Sequence, residues 1–204
     1  MRITKFTHAC VRLERAGQVL VIDPGTWSEP RALVGADAVL VTHEHADHID
    51  AFRLAGLGVR VYLPAEAEIG AVELTRGVEL VRVRAGEEFT AAGFPVRAVG
   101  GRHALIYGGM PDCANLGYVV DDRLYHPGDS LHLPGQPVET LLVPAQASWL
   151  KLAEAIEFVR AVQPDRTFPI HEAQLNERGL GSVNAWFGEE TGGGYRYLAP
   201  GETA

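Results

Sequence analysis

The segment DAVLVTHEHADHID, residues 37–50, constrains this chain more than any other. DAVLVT is short, apolar and β-branched, as expected for a strand covered on both faces. His43, His45, Asp47 and His48 follow it at once. A lone histidine beside a loop is more often a hydrogen-bonded surface residue than a ligand. Four ligand-type side chains at two spacings, directly after a core-type strand, read instead as a metal site. In an extended segment, residues two apart point the same way, so His43 and His45 can grip one metal. Glu44 points away. Asp47 and His48 fall where the chain turns toward a helix and can face a second metal beside the first. Imidazole suits zinc, iron and nickel, and the carboxylate admits manganese.

Three more ligand-type residues sit at the ends of apolar runs. His103 follows glycines in VGGRHALIY, Asp129 follows a strand in YHPGDS, and His171 follows one in FPIHEA. Gly128 allows close backbone approach beside Asp129. Strand C-terminal ends are where α/β folds place their sites.

The remaining pattern supplies a frame. RITKF, CVRLER and QVLVID read as strands, PGTW as a turn, HIDAFRLAG as a short helix ended by Gly56, and VRVYLP as a strand. AEAEIGAVEL reads as a helix, and VELVRVR, EEFTAA and FPVRAVG as a meander. LGYVVDDRLYHPGD reads as a hairpin across Asp121-Asp122, and ETLLVP as a buried strand. In SWLKLAEAIEFVRAVQP, Lys151, Glu154, Glu157 and Arg160 form one polar stripe on a helix that packs against a sheet. Ser148 is the expected N-cap and Pro164 marks the end. RTFPIH closes a strand–helix–strand unit. The order implies α/β layers with mixed sheets, and 204 residues fit one domain spanning 1–204.

A net charge of −8, with no run of lysine or arginine, argues against nucleic acid and anionic membrane as partners. The N-terminal residues lack a secretory h-region, and no apolar stretch approaches ~20 residues. Cys10 and Cys113 lie far apart, as buried thiols in a reducing compartment would. The expectation is a cytoplasmic protein with a small-molecule substrate and room for a homo-oligomer.

Taken together, the H-x-H-x-D-H motif, the later His103, the Gly128-Asp129 pair and the strand-end His171 resemble the metallo-β-lactamase fold superfamily. FTHACVRLE and LVIDPG look like the opening hairpin of its smaller members, the group that includes the ascorbate-6-phosphate lactonase-like proteins. The resemblance implies an αββα four-layer sandwich with a dinuclear site at one edge. His43, His45 and His103 would bind one metal, Asp47, His48 and His171 the second, and Asp129 would bridge them. Two divalent ions, zinc first and manganese or iron next, would generate hydroxide at neutral pH. Asp47 could then orient the nucleophile and take its proton.

His8 is similar to a histidine that small members place near the metals. Asp23 is expected to hydrogen-bond a ligand histidine, and His126 could support the Asp129 carboxylate or serve only the packing of its strand. His132 could meet substrate or protonate a leaving group, and Trp149 could wall the pocket. The function implied is a metal-dependent hydrolase of an ester, lactone or phosphodiester. An iron-dependent oxidoreductase on the same fold and a non-catalytic metal-binding scaffold are the alternatives.

Overall fold

The computed structural model describes residues 1–68, 77–108, 110 and 113–204. Among the described residues, twelve strands form two six-stranded sheets. The first sheet runs in sequence order: β1 (Arg2–Lys5), β2 (Val11–Arg15), β3 (Gln18–Ile22), β4 (Ala38–Leu40), β5 (Arg60–Pro64) and β6 (Glu79–Val83). The second contains β7 (Glu88–Ala91), β8 (Phe94–Gly100), β9 (Leu116–Val120), β10 (Leu124–His126), β11 (Thr140–Pro144) and β12 (Arg166–Ile170). Each sheet is mixed. β1 to β3 are antiparallel and β3 to β6 parallel. β7 to β10 are antiparallel and β10 to β12 parallel.

Period-two alternation sorts the strand residues into layers. Leu20 and Ile22 of β3, Leu40 of β4, Phe94 and Val96 of β8, and Tyr118 of β9 meet between the sheets. Val19, Val21, Val39 and Val61 face outward, where Leu54 of the short helix α1 (Ala51–Leu54) covers them. Val119, Leu141 and Val143 face the other way and pack under α2 (Leu152–Val162) and α3 (Glu177–Glu190). The result is the helix–sheet–sheet–helix layering that the resemblance implies. Among the described residues, no helix is long and apolar enough to cross a membrane.

One local expectation changes. Ser148 is exposed and does not cap α2, whose N-cap is Lys151. There the Glu154 carboxylate accepts from the Lys151 backbone N–H at 3.1 Å. Residues 148–150 are held in a separate turn, Leu150 N–H to Ala147 O, which carries Trp149 toward the site. The helix α3 was not legible, because its three glycines and single buried residue, Phe187, leave little apolar periodicity. The helix expected over 65–74 lies largely outside the described residues.

Candidate metal centre

The expected ligands all leave strands at their C-terminal ends, on one edge of the sandwich. His43, His45, Asp47 and His48 follow β4, His103 follows β8, Asp129 follows β10 and His171 follows β12. β4 ends at Leu40, short of the apolar run, because Thr42 is needed elsewhere. Its carbonyl accepts from Leu116 N–H of the second sheet at 2.9 Å, clasping the two sheets beside the site. Residues 43–44 therefore bend instead of extending, and a turn closes where His48 and Ile49 N–H both reach the His45 carbonyl. His43 and His45 still converge, through the bend and not the pleat: His43 Nε2 lies 3.0 Å from His45 Nδ1. The loop sits hard against Gly25, where a Cβ would come within 1.8 Å of the Asp47 carbonyl oxygen.

Three groups of ligand atoms form, each with its atoms within 4.8 Å of one another. One is His43, His45 and His103; another is His8, Asp47, His48 and His171; the third is His43, His48 and Asp129. The Asp129 carboxylate stands between the first two. Its Oδ1 is 3.0 Å from His48 Nε2, and its Oδ2 is 3.1 Å from His171 Nε2 and 3.4 Å from His103 Nε2.

The outer ring nitrogens decide which atoms point inward. His103 Nδ1 meets the Ala104 carbonyl and His171 Nδ1 the Gln146 carbonyl, each at 2.5 Å. A carbonyl only accepts, so each Nδ1 carries the proton and each Nε2 offers its lone pair to the interior. His48 Nδ1 lies 2.7 Å from Asp23 Oδ2. Asp23 also accepts from the Thr42 N–H and hydroxyl, both at 2.7 Å, and the Thr42 oxygen stands 3.0 Å from His43 Nδ1. This leaves His48 Nε2, His103 Nε2, His171 Nε2 and Asp129 Oδ1 buried without a hydrogen-bond partner. Each such orphan costs about 1–3 kcal/mol. A divalent cation meets four lone pairs aimed into one space, so the donor set fits a metal.

Electrostatics divide the set: against burial, Asp129 and Asp23 raise His48 well above the ordinary imidazole range and Asp129 raises His103, so binding a metal at these two rings displaces a proton. Burial, aided by His48, holds His43 well below the ordinary imidazole range, which keeps it in its neutral, metal-binding form. Burial pushes Asp129 up, but the charge of His48 and the close approach of the His103 and His171 rings more than reverse this, so its carboxyl stays well below the usual range. Burial also raises Asp47, and the bond to His8 and the charge of His48 bring it down to about 2.

His8 belongs to the site. It is buried in the left-handed region, φ +67°, with Nε2 3.0 Å from Asp47 Oδ2 and its ring centroid 3.9 Å from that of His171. Asp23 and His171 share that backbone strain, at φ +49° and +63°. His126 does not reach the Asp129 carboxylate. Its Nε2 faces the Ala9 carbonyl at 2.9 Å and its Nδ1 accepts from Gly128 N–H, so it braces the turn. His132 is exposed, lies beside Gly100 and joins none of the ligand groups. Trp149 does more than wall a pocket: its indole N–H donates to Asp129 Oδ2 at 3.0 Å. Cys10 is buried as expected, whereas Cys113 is only half-buried, with Sγ 3.8 Å from His45 Nε2.

Sequence reasoning passed over two supports. Asn115 accepts from Asp129 N–H at 2.9 Å and donates to the Pro127 carbonyl, fixing the turn that presents Asp129. Lys5 and Glu172 form a buried ion pair at 3.0 Å, and Glu172 also accepts from His8 N–H. A signal existed: Lys5 alternates with buried Ile3 on a strand, so its side chain faces the core.

Comparison with known proteins gives the same picture. The sequence profile of the beta-lactamase superfamily domain matches residues 2–171. A protein of Mycobacterium tuberculosis is 40% identical over 184 residues, covering 85% of this chain and 84% of that protein. A UPF0173 metal-dependent hydrolase of Methanopyrus kandleri is 30% identical over 201 residues, covering 84% of each. Among solved structures, the metallo hydrolase Igni18 of Ignicoccus hospitalis superposes with a TM-score of 0.75 at 19% identity, covering 100% of this chain and 97% of its own.

Proposed function

The chain belongs to the beta-lactamase superfamily, and from that membership we propose that it is a metal-dependent hydrolase of a small-molecule ester, lactone or phosphodiester. One observation carries the reading: four buried ligand atoms converge without partners while their outer nitrogens are fixed by carbonyls and Asp23. In this reading His43, His45 and His103 hold one divalent ion, Asp47, His48 and His171 a second, and Asp129 lies between them. Zinc suits the histidine-rich set best, and manganese and iron suit it as well. Such ions supply Lewis acidity and lower the pKa of water to about 7.

The chain's own residues do the rest. Asp47 is held ionised beside His8, so its carboxylate can receive a proton and orient the attacking water. Asp23 fixes His48 and, through Thr42, His43. Trp149 pins one oxygen of Asp129 and leaves the other to the interior. The test is turnover of 4-nitrophenyl acetate, a δ-lactone and bis(4-nitrophenyl) phosphate by metal-loaded protein. Hydrolysis of at least one, abolished by chelation and restored by metal, is expected. An iron-loaded form with oxygen-dependent activity and no hydrolysis would overturn the reading.

A further inference from the structure

Beside the His43–His45–His103 half-site lies a cavity of about 60 Å³, lined by His45, His103, Leu105, Ile106, Met110 and Cys113 among others. That is far smaller than the ~300–1,000 Å³ that buries a drug-sized ligand. It accepts a few carbons, not a sugar or a nucleobase. Among the described residues no lysine or arginine lines it, so its walls offer no cation for a phosphate group. The one buried lysine near the ligands, Lys5, is already paired with Glu172.

The rim continues the same character. Leu105 is 68% exposed, Tyr107 74% and Met110 50%, with Ile106 partly exposed between them. Of the ten large apolar side chains exposed among the described residues, four fall within 105–110. A contiguous exposed apolar patch marks a binding surface, and this one shares its wall with two candidate metal ligands.

We infer that Ala104, Leu105, Ile106, Met110 and Cys113 form an apolar subsite, and that the substrate is an ester or lactone whose acyl part is a short hydrocarbon seated against Ile106 and Met110. The inference rests on the hydrolase reading and narrows it away from phosphodiesters. The carbonyl would sit over His45 and His103, with the chain leading out across Leu105 and Tyr107.

Two measurements on the metal-loaded protein test this. The first is kcat/KM for 4-nitrophenyl esters of two, four, six and eight carbons. An increase of about three- to fourfold per methylene over the first few carbons is expected, then a plateau. Ile106→Ser and Met110→Ser should flatten the profile, lowering kcat/KM for the six- and eight-carbon esters far more than for the acetate. The second is calorimetric binding of butyrate, hexanoate and octanoate, with the same chain-length trend lost in the same variants. Ester turnover with no chain-length dependence overturns the subsite and leaves the hydrolase reading standing. Carboxylate binding that follows chain length, with no turnover of any ester, lactone or phosphodiester, retains the subsite and sinks the hydrolase. A dimer that the two serine variants dissociate, with a flat profile in the parent, would show that the patch joins copies of the chain and would also overturn the proposal.

Discussion

The indole Nε1–H of Trp149 donates to Asp129 Oδ2 across 3.0 Å, on the carboxylate that stands between the two ligand groups. The bond fixes which oxygen faces His48 and which faces His103 and His171. Trp149→Phe keeps the ring and removes only the donor. Partners of this kind are worth about 10–100-fold in metal affinity. The expected outcome is a loss in that range by chelator competition, with an unchanged melting temperature. Unaltered affinity would show that the bond plays no part in holding the metal.

Asp23 gathers three donors: Thr42 N–H, the Thr42 hydroxyl and His48 Nδ1–H. Asparagine tolerates its left-handed backbone, so Asp23→Asn isolates the charge. Metal affinity should fall about 10–100-fold. Stability should fall by about 1–3 kcal/mol, because an amide NH₂ cannot accept from the donors it would face. Denaturant melts and chelator competition measure the two effects separately.

Lys5 and Glu172 are both almost fully buried, and they tie the end of β1 to the residue after His171. Removing one partner leaves a buried charge without its counterion. Lys5→Met should cost about 3–5 kcal/mol in urea unfolding. The double variant Lys5→Met with Glu172→Gln should recover part of that loss. Additive losses would show that the pair is not coupled.

These supports show what the sequence made legible. The ligand residues were readable because few side chains bind metal, and the motif crowds four of them into six positions. The layers were readable because strands such as QVLVI bury alternate residues on opposite faces. The bend at residues 43–44 was not readable, because it depends on Thr42 bonding across to Leu116 of the other sheet. The Trp149–Asp129 bond and the Lys5–Glu172 pair join residues 20 and 167 positions apart, beyond the reach of any local pattern.

Cys10 offers a pH-dependent check on the packing of the fold. Burial raises its thiol from 9.0 to about 12, outweighing the Ser28 hydrogen bond and the charge of Lys5. A folded pKa above the unfolded one means the fold favours the neutral thiol. That contribution is complete below pH 9 and is lost as pH rises from 9 toward 12. Cys10 should therefore resist iodoacetamide at pH 8 until the protein is unfolded. Alkylation of folded protein at the rate of an exposed thiol, read by mass spectrometry, would contradict this.

Metal stoichiometry tests the central claim most directly. Elemental analysis of protein expressed with ample metal should find two transition-metal ions per chain. His45→Ala and His171→Ala should each lower the count toward one, and Asp129→Ala should lower it further. Near-zero metal in the parent, or two ions retained in Asp129→Ala, would contradict a dinuclear centre built on these residues.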